Sequence, residues 1–358
     1  MSTYRWLIGL GLSLMATCAV AQTITVVSWG GSYGRASQRA ILDPFTEETG
    51  IQIRMEDYNG GLAQIRAQVE AGRVHWDVVD LELPDLVRGC DEGLLELVDI
   101  EDMPAAPDGT PAREDYLPDT VTDCGGCTLF YSTAYAYNAE DFPDAQPTTI
   151  EDFFDLAKFP GRRGMRRVPY ANLEFALMAD GVPLADVYAT LGTTEGMTRA
   201  FAKLDTIKDH IVWWEAGAQP PQLLADREVA MSTAYNGRIF NAQVLEKQPF
   251  VVVWDGQVLD SGGFGIVAGT LRLDEARRLL AFAARPAVMA GISKYISYSP
   301  ARGSGAALVT THLETGVEMA PHMPTTPANM ARALQNDWRW WADHADEVNE
   351  RFGAWLAR

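Results

Sequence analysis

Short runs that favour extended backbone alternate with runs that favour helix along nearly all of this 358-residue chain, and that alternation restricts the architecture most. Thr23–Ser28 predicts a strand, Arg35 to Glu48 a helix closed by Gly50, and Ile51–Met55 a second strand. Leu62–Ala71 reads as helix, Trp76–Asp80 as strand and Pro84–Cys90 as helix again. After a Pro- and Gly-rich loop between Met103 and Pro118, Phe130–Tyr137 is a strand. Helices are expected over 150–158, 172–179, 195–204, 220–225 and 274–284, with strands over 211–215, 229–233, 250–254 and 265–268. The tail from Asn329 to Leu356 predicts two amphipathic helices. This pattern is that of an α/β fold with a parallel sheet. The length suits about two domains, and no Pro/Gly/Ser linker separates them, which favours two lobes joined by several strands.

Residues 1–21 read as an address: Arg5, an apolar run from Trp6 to Ala16, then Ala19-Val20-Ala21, with cleavage before Gln22. The apolar run is too short for a membrane span, and a lipid attachment at Cys18 fits Met15 and Thr17 poorly. An exported, periplasmic protein is expected. With 29 Lys+Arg against 48 Asp+Glu, the net charge of −19 excludes a nucleic-acid binder and suits attraction of cationic solutes. In an oxidising compartment Cys90, Cys124 and Cys127 predict one disulfide and one spare thiol. Cys90 ends a helix and Cys124 lies on the return path, so these two are the expected pair. Cys127 competes, because Gly125-Gly126 lets either thiol approach. With no second C-x-x-C and no clustered histidines, neither a metal nor a cofactor is expected.

Enzyme motifs are weak. Gly30-Gly31-Ser32-Tyr33-Gly34 matches a nucleophile elbow between strand and helix, which keeps an exported hydrolase using Ser32 as a rival reading. It follows the first strand, however, so no earlier strand supplies an oxyanion donor. The same glycines could cradle an anion at a helix start, or simply turn the chain. Tyr295 and Tyr298 offer oxygen donors for iron, but no adjacent Tyr pair with a nearby His supports it. The stronger signal is aromatic residues beside carboxylates at strand ends: Trp29 and Tyr33, Asp80 and Glu82, Trp214, Tyr235, Asp260, Phe264 and Tyr298. Ligands of open α/β sheets bind outside the carboxyl ends of strands, aromatic faces attract cations, and carboxylates neutralise ammonium groups.

Trp29-x-x-x-Tyr33, Phe45-Thr-Glu-Glu-Thr-Gly50, Trp76-Asp-Val-Val79 with Gly93-Leu-Leu95, and Ser132-Thr-Ala-Tyr-Ala-Tyr-Asn138 resemble one family. Trp213-Trp-Glu-x-Gly-Ala-Gln219, Tyr235-Asn-Gly-Arg238, Tyr298-Ser-Pro300 and the Trp340-Trp341 to Arg351-Phe352 tail extend the likeness. The family is the extracellular solute-binding proteins of ABC importers, in particular the spermidine/putrescine-binding group. The resemblance implies a periplasmic-binding-protein-like fold of type II, with two α/β lobes joined by crossing strands. It implies one lobe of residues 22–133 and 258–300, another of 134–257 and 301–358, and a monomer that delivers its solute to an inner-membrane permease. Carried over by position, Trp29, Ser32, Tyr33, Asp80, Glu82, Glu174, Tyr235 and Tyr298 become ligand contacts. The family's usual carboxylate falls at Gly262, with Asp260 two residues earlier. That departure opens a second reading beside a polyamine or related amine: an amino-acid-like zwitterion.

Overall fold

The structure, a computed structural model, describes residues 22–358; the expected leader, its cleavage site and Cys18 lie outside them. Strands β1 (Thr23–Ser28), β2 (Gln52–Asp57) and β3 (Val78–Glu82) run parallel, with β1 between the other two. The helix after β1 starts at Gly31, four residues earlier than the sequence suggests. It passes through a π turn at Gln38–Leu42 and stops at Thr49. Gly50 ends it in the left-handed region, φ 77°, where a side chain would be strained. β4 (Val121–Thr122) and β5 (Gly125–Asn138) follow, then β6 (Arg163–Arg166), β7 (Ile211–Trp214) and β8 (Met231–Tyr235). β9 is the long strand Phe250–Ile266, and β10 (Ser299–Pro300) and β11 (Leu334–Gln335) are two-residue additions.

The main sheet runs β2-β1-β3-β9-β5-β8-β6-β7. Its two ends are parallel and its centre antiparallel: β3 pairs β9, β9 pairs β5, and β5 pairs β8. β5 and β9 therefore cross from one half to the other, as expected of two lobes in a periplasmic-binding-protein-like fold. Their mutual register breaks in the middle, where Thr133 faces Val258 but Tyr135 faces Val253. Such an irregularity frees the ladder locally and lets paired strands bend.

The sequence reads two short strands, 250–254 and 265–268, where β9 is one. Gly262 and Gly263, inside it, permit close approach of neighbouring strands. A Cβ at Gly262 would stand 2.8 Å from the Leu81 carbonyl oxygen, and one at Gly263 2.7 Å from Cys127 Cα. The tail also differs from expectation. It contains a short 3-10 turn at Asn329–Arg332, then β11, and a single helix, Trp338–Leu356. Trp341, Val348, Phe352 and Trp355 of that helix pack with Tyr135, Phe153, Phe175 and Leu204 in the second-half core. Ile24, Val26 and Val78 instead pack with Phe264, Leu279 and Ile292. Among the described residues no helix is long and apolar enough to cross a membrane.

Cys90 and Cys124 are joined, and Cys127 is free and buried. The bridge ties the helix Leu83–Asp91 to the start of β5 across 34 positions of sequence. In the chain-entropy account, a loop of this size contributes about 3–4 kcal/mol by restricting the unfolded chain. A Cys90→Ala/Cys124→Ala variant is expected to lose about that much in urea unfolding. A loss below 1 kcal/mol would show that the unfolded chain is already restricted there.

Candidate functional site

The C-terminal ends of β1, β3 and β8 meet the crossing strands around one cavity of about 40 Å3 between the lobes. One water needs roughly 10–15 Å3 on this scale, so the space suits a small, compact solute. Trp29, Tyr33, Asp80, Glu82, Tyr235 and Tyr298, all singled out in the sequence, line it. So do Leu81, Leu129, Tyr131 and Arg238, which the sequence reading did not select, and Gly262, where the family's usual carboxylate falls.

Asp80 is the more buried of the two acids that line the cavity. It is 2% exposed, and its Oδ2 accepts from the Ser28 hydroxyl at 2.7 Å. Tyr58 fixes the strand behind it by donating to the Asp80 carbonyl at 2.5 Å. Burial pushes the Asp80 carboxyl up to about 7, against hydrogen bonds from Tyr33 and Ser28 and the Arg238 charge, which pull it down. The Tyr33 hydroxyl moves up as well, first through burial and then through the Asp80 charge. Glu82, two residues along β3, faces the second lobe and accepts from Arg166 Nη1 at 3.2 Å. Arg166 ends β6, so this ion pair bridges the two halves of the sheet. Its guanidinium also lies 5.7 Å from the Trp29 ring and 5.8 Å from Tyr235, as cation–π contacts do.

Arg238, like Arg166, is a cation that sequence reasoning missed. It is 4% exposed, on the helix Asn236–Val244 that begins where β8 ends. Nη1 donates to the Gly30 carbonyl at 2.6 Å and Nη2 to that of Trp29 at 3.2 Å. The Gly30-Gly31 turn thus makes room for an arginine. Gly31 has φ 59°, and a Cβ there would stand 2.6 Å from Nη1. Ser32, in the first turn of the next helix, does not line the cavity. Two polar atoms of cavity residues, Arg238 Nε and the Tyr235 hydroxyl, are buried with no hydrogen-bond partner among the described residues. Leaving such a donor unpaired in a dry interior costs about 1–3 kcal/mol.

The remaining sequence candidates lie elsewhere. Glu174 sits in the second-lobe core and accepts from the Trp341 indole at 2.8 Å and Tyr188 at 3.2 Å. Burial pushes it up to about 7. Trp214 stacks edge-on against Tyr235, 5.8 Å away, behind the cavity wall. Phe264 packs with Ile24 and Val78 in the first-lobe core. Asp260 stands outside the cavity, and both its oxygens already accept hydrogen bonds from protein groups.

A partly open cavity between two α/β halves, lined by charges of both signs, is a place to hold a solute. Comparison with known proteins agrees. The family profile described as bacterial extracellular solute-binding protein matches residues 40–325. A gamma-aminobutyric acid-binding protein of Pseudomonas aeruginosa is 41% identical over 349 residues, covering 97% of this chain and 95% of its own. Among solved structures, the binding protein MotA of A. tumefaciens B6 in complex with glucopine is 29% identical with a TM-score of 0.85, over 94% of this chain and 100% of that one. The Atu4243 GABA receptor is 29% identical with a TM-score of 0.79, over 94% and 98%. These proteins are receptors of ABC transporters rather than enzymes, which sets aside the hydrolase reading of Ser32. The chain belongs to the bacterial extracellular solute-binding proteins, which bind a small molecule and deliver it to an ABC permease.

Proposed function

We propose that this chain is the periplasmic receptor for a small zwitterion of the gamma-aminobutyrate (GABA) type, held between lobes formed by residues 22–133 plus 258–300 and 134–257 plus 301–358. The observation that carries this reading is the pairing of unlike charges around one cavity. Asp80 and Glu82 are suited to an ammonium group; Arg238 Nε and the Tyr235 hydroxyl are suited to a carboxylate. Trp29, Tyr131 and Tyr298 supply apolar walls for the carbon chain. Closure around the solute excludes water and strengthens each charged contact. The GABA-binding relative at 41% identity supports the same class.

A polyamine, the alternative from sequence, fits less well. It carries no carboxylate for the unpaired Arg238 donor, and two guanidiniums, Arg166 and Arg238, flank the cleft. Gly262 stands on the cavity wall where the polyamine-binding pattern has an acid. Calorimetric titration with GABA, putrescine and butylamine distinguishes the readings. GABA is expected to bind at least a hundredfold more tightly than either amine, and tighter binding of putrescine would restore the polyamine assignment.

The interaction should also depend on pH in a defined direction. The Asp80 carboxyl, held near 7 without solute, must be ionised to receive an ammonium group. Binding therefore releases a proton below pH 7. Affinity is expected to rise by up to about tenfold per pH unit toward pH 7 and then level off. An affinity for GABA that is flat from pH 5 to 8 would remove Asp80 as the ammonium partner.

A further inference from the structure

Asp260 lies just past the register break of the crossing strands, and its buried carboxylate is fully engaged. Oδ2 accepts from the hydroxyls of Tyr131, at 3.0 Å, and Tyr170. Oδ1 accepts from the Ser261 amide at 2.7 Å and Asn336 Nδ2 at 3.0 Å. The donors come from β5, from β9 itself, from the loop after β6, and from the tail segment after β11. A carboxylate removed from water must be compensated by such donors or it is strongly unfavourable. The network continues outward on both sides. The Tyr131 ring lines the cavity and meets Tyr235 at 5.5 Å. Asn336 Oδ1 is 3.2 Å from the Tyr188 hydroxyl, which is itself 3.2 Å from Glu174.

Two of the four donors, Tyr170 and Asn336, belong to the second lobe on the boundaries proposed above, whereas Tyr131, Asp260 and Ser261 belong to the first. Asn336 directly follows β11, which pairs with β9 itself, so only Tyr170 reaches Asp260 across the lobes without a strand pairing to hold it there. Its ring packs 5.2 Å from Trp341, and the next residue, Ala171, is held at φ 62°, unusual for a residue with a side chain. Asn172 Nδ2 fixes this loop by donating to the carbonyls of Arg166 and Val168 at 2.7 Å. The same loop thus presents Arg166 to Glu82 at one end and Tyr170 to Asp260 at the other. We infer that the Tyr170–Asp260 hydrogen bond is a closure latch: it forms when the lobes close, breaks when they part, and sets how long a solute is retained. The inference rests on the two-lobed receptor reading but not on the identity of the solute. Both residues are positioning residues, since neither lines the cavity.

Tyr170→Phe removes the hydroxyl and keeps the ring. With one spin label on each lobe, the unliganded variant is expected to show longer interlobe distances than wild type. GABA should dissociate at least tenfold faster with its association rate nearly unchanged, as for loss of a hydrogen bond to a charged group. Asp260→Asn, which keeps the shape but converts one acceptor into a donor, should shift the same distance in the same direction. A lowered melting temperature with unchanged interlobe distances and dissociation rate would make the contact static packing and overturn the latch. If GABA fails to bind wild type, the solute assignment falls, and the interlobe distances still decide the latch.

Discussion

Asp80→Asn is expected to weaken GABA binding by roughly 100- to 1,000-fold, or about 3–4 kcal/mol, the range seen when one partner of a buried charge pair is removed. The same change should make the unliganded protein more stable at pH 8. The sign follows from linkage. Folding raises the Asp80 carboxyl from its ordinary range to about 7, so between those values the folded state binds the extra proton. Stability contributed by this group is therefore present at low pH and lost as pH rises toward 7. Asparagine carries no charge and can still accept from Ser28, so the gain should appear at pH 8 and vanish near pH 4. Thermal melts of both proteins at the two pH values, with titrations at pH 8, check both halves. A variant that binds normally, or is destabilised at pH 8, would contradict the role given to Asp80.

Arg238→Met is expected to reduce GABA affinity by at least a hundredfold, because it removes the cation that faces a carboxylate. It also frees the carbonyls of Trp29 and Gly30, so some loss of stability accompanies it. Butylamine, which has the ammonium group and lacks the carboxylate, separates the two effects. Its weak binding should change by less than threefold. An equal loss for both compounds would mean that Arg238 only shapes the Gly30-Gly31 turn.

The alternation of strands and helices was legible because each element carries its own period and its own stop. Asn172–Ala179 matches the expected helix at both ends, and Gly50 closes the first one. Six of the residues chosen from aromatic and acidic chemistry at strand ends do meet in one cavity. Arg166 and Arg238 are not legible because a buried arginine looks like a surface one in sequence, and aromatic residues beside carboxylates point to a cation as the solute. A local signal for Arg238 existed: it stands three residues after Tyr235, at a helix start on the strand end already suspected. Asp260 was misplaced for a different reason. Strand alternation puts Asp260, Gly262 and Phe264 on one face of β9, but parity does not say which of them stands beside the cavity. Gly262 does, while Asp260 turns to Tyr170 and Asn336. That distinction depends on which distant groups pack against each position, Tyr170 and Asn336 at Asp260 and Leu81 at Gly262, and no local pattern records it.

A crystal structure of the protein with bound GABA tests the central claim most directly. The account predicts the solute in the interlobe cavity, with its ammonium nitrogen within hydrogen-bond distance of Asp80 or Glu82. Its carboxylate should accept from Arg238 Nε and the Tyr235 hydroxyl, the two donors left unpaired here. A solute bound outside this cavity, or lying in it with the carboxylate turned away from Arg238, would contradict the account.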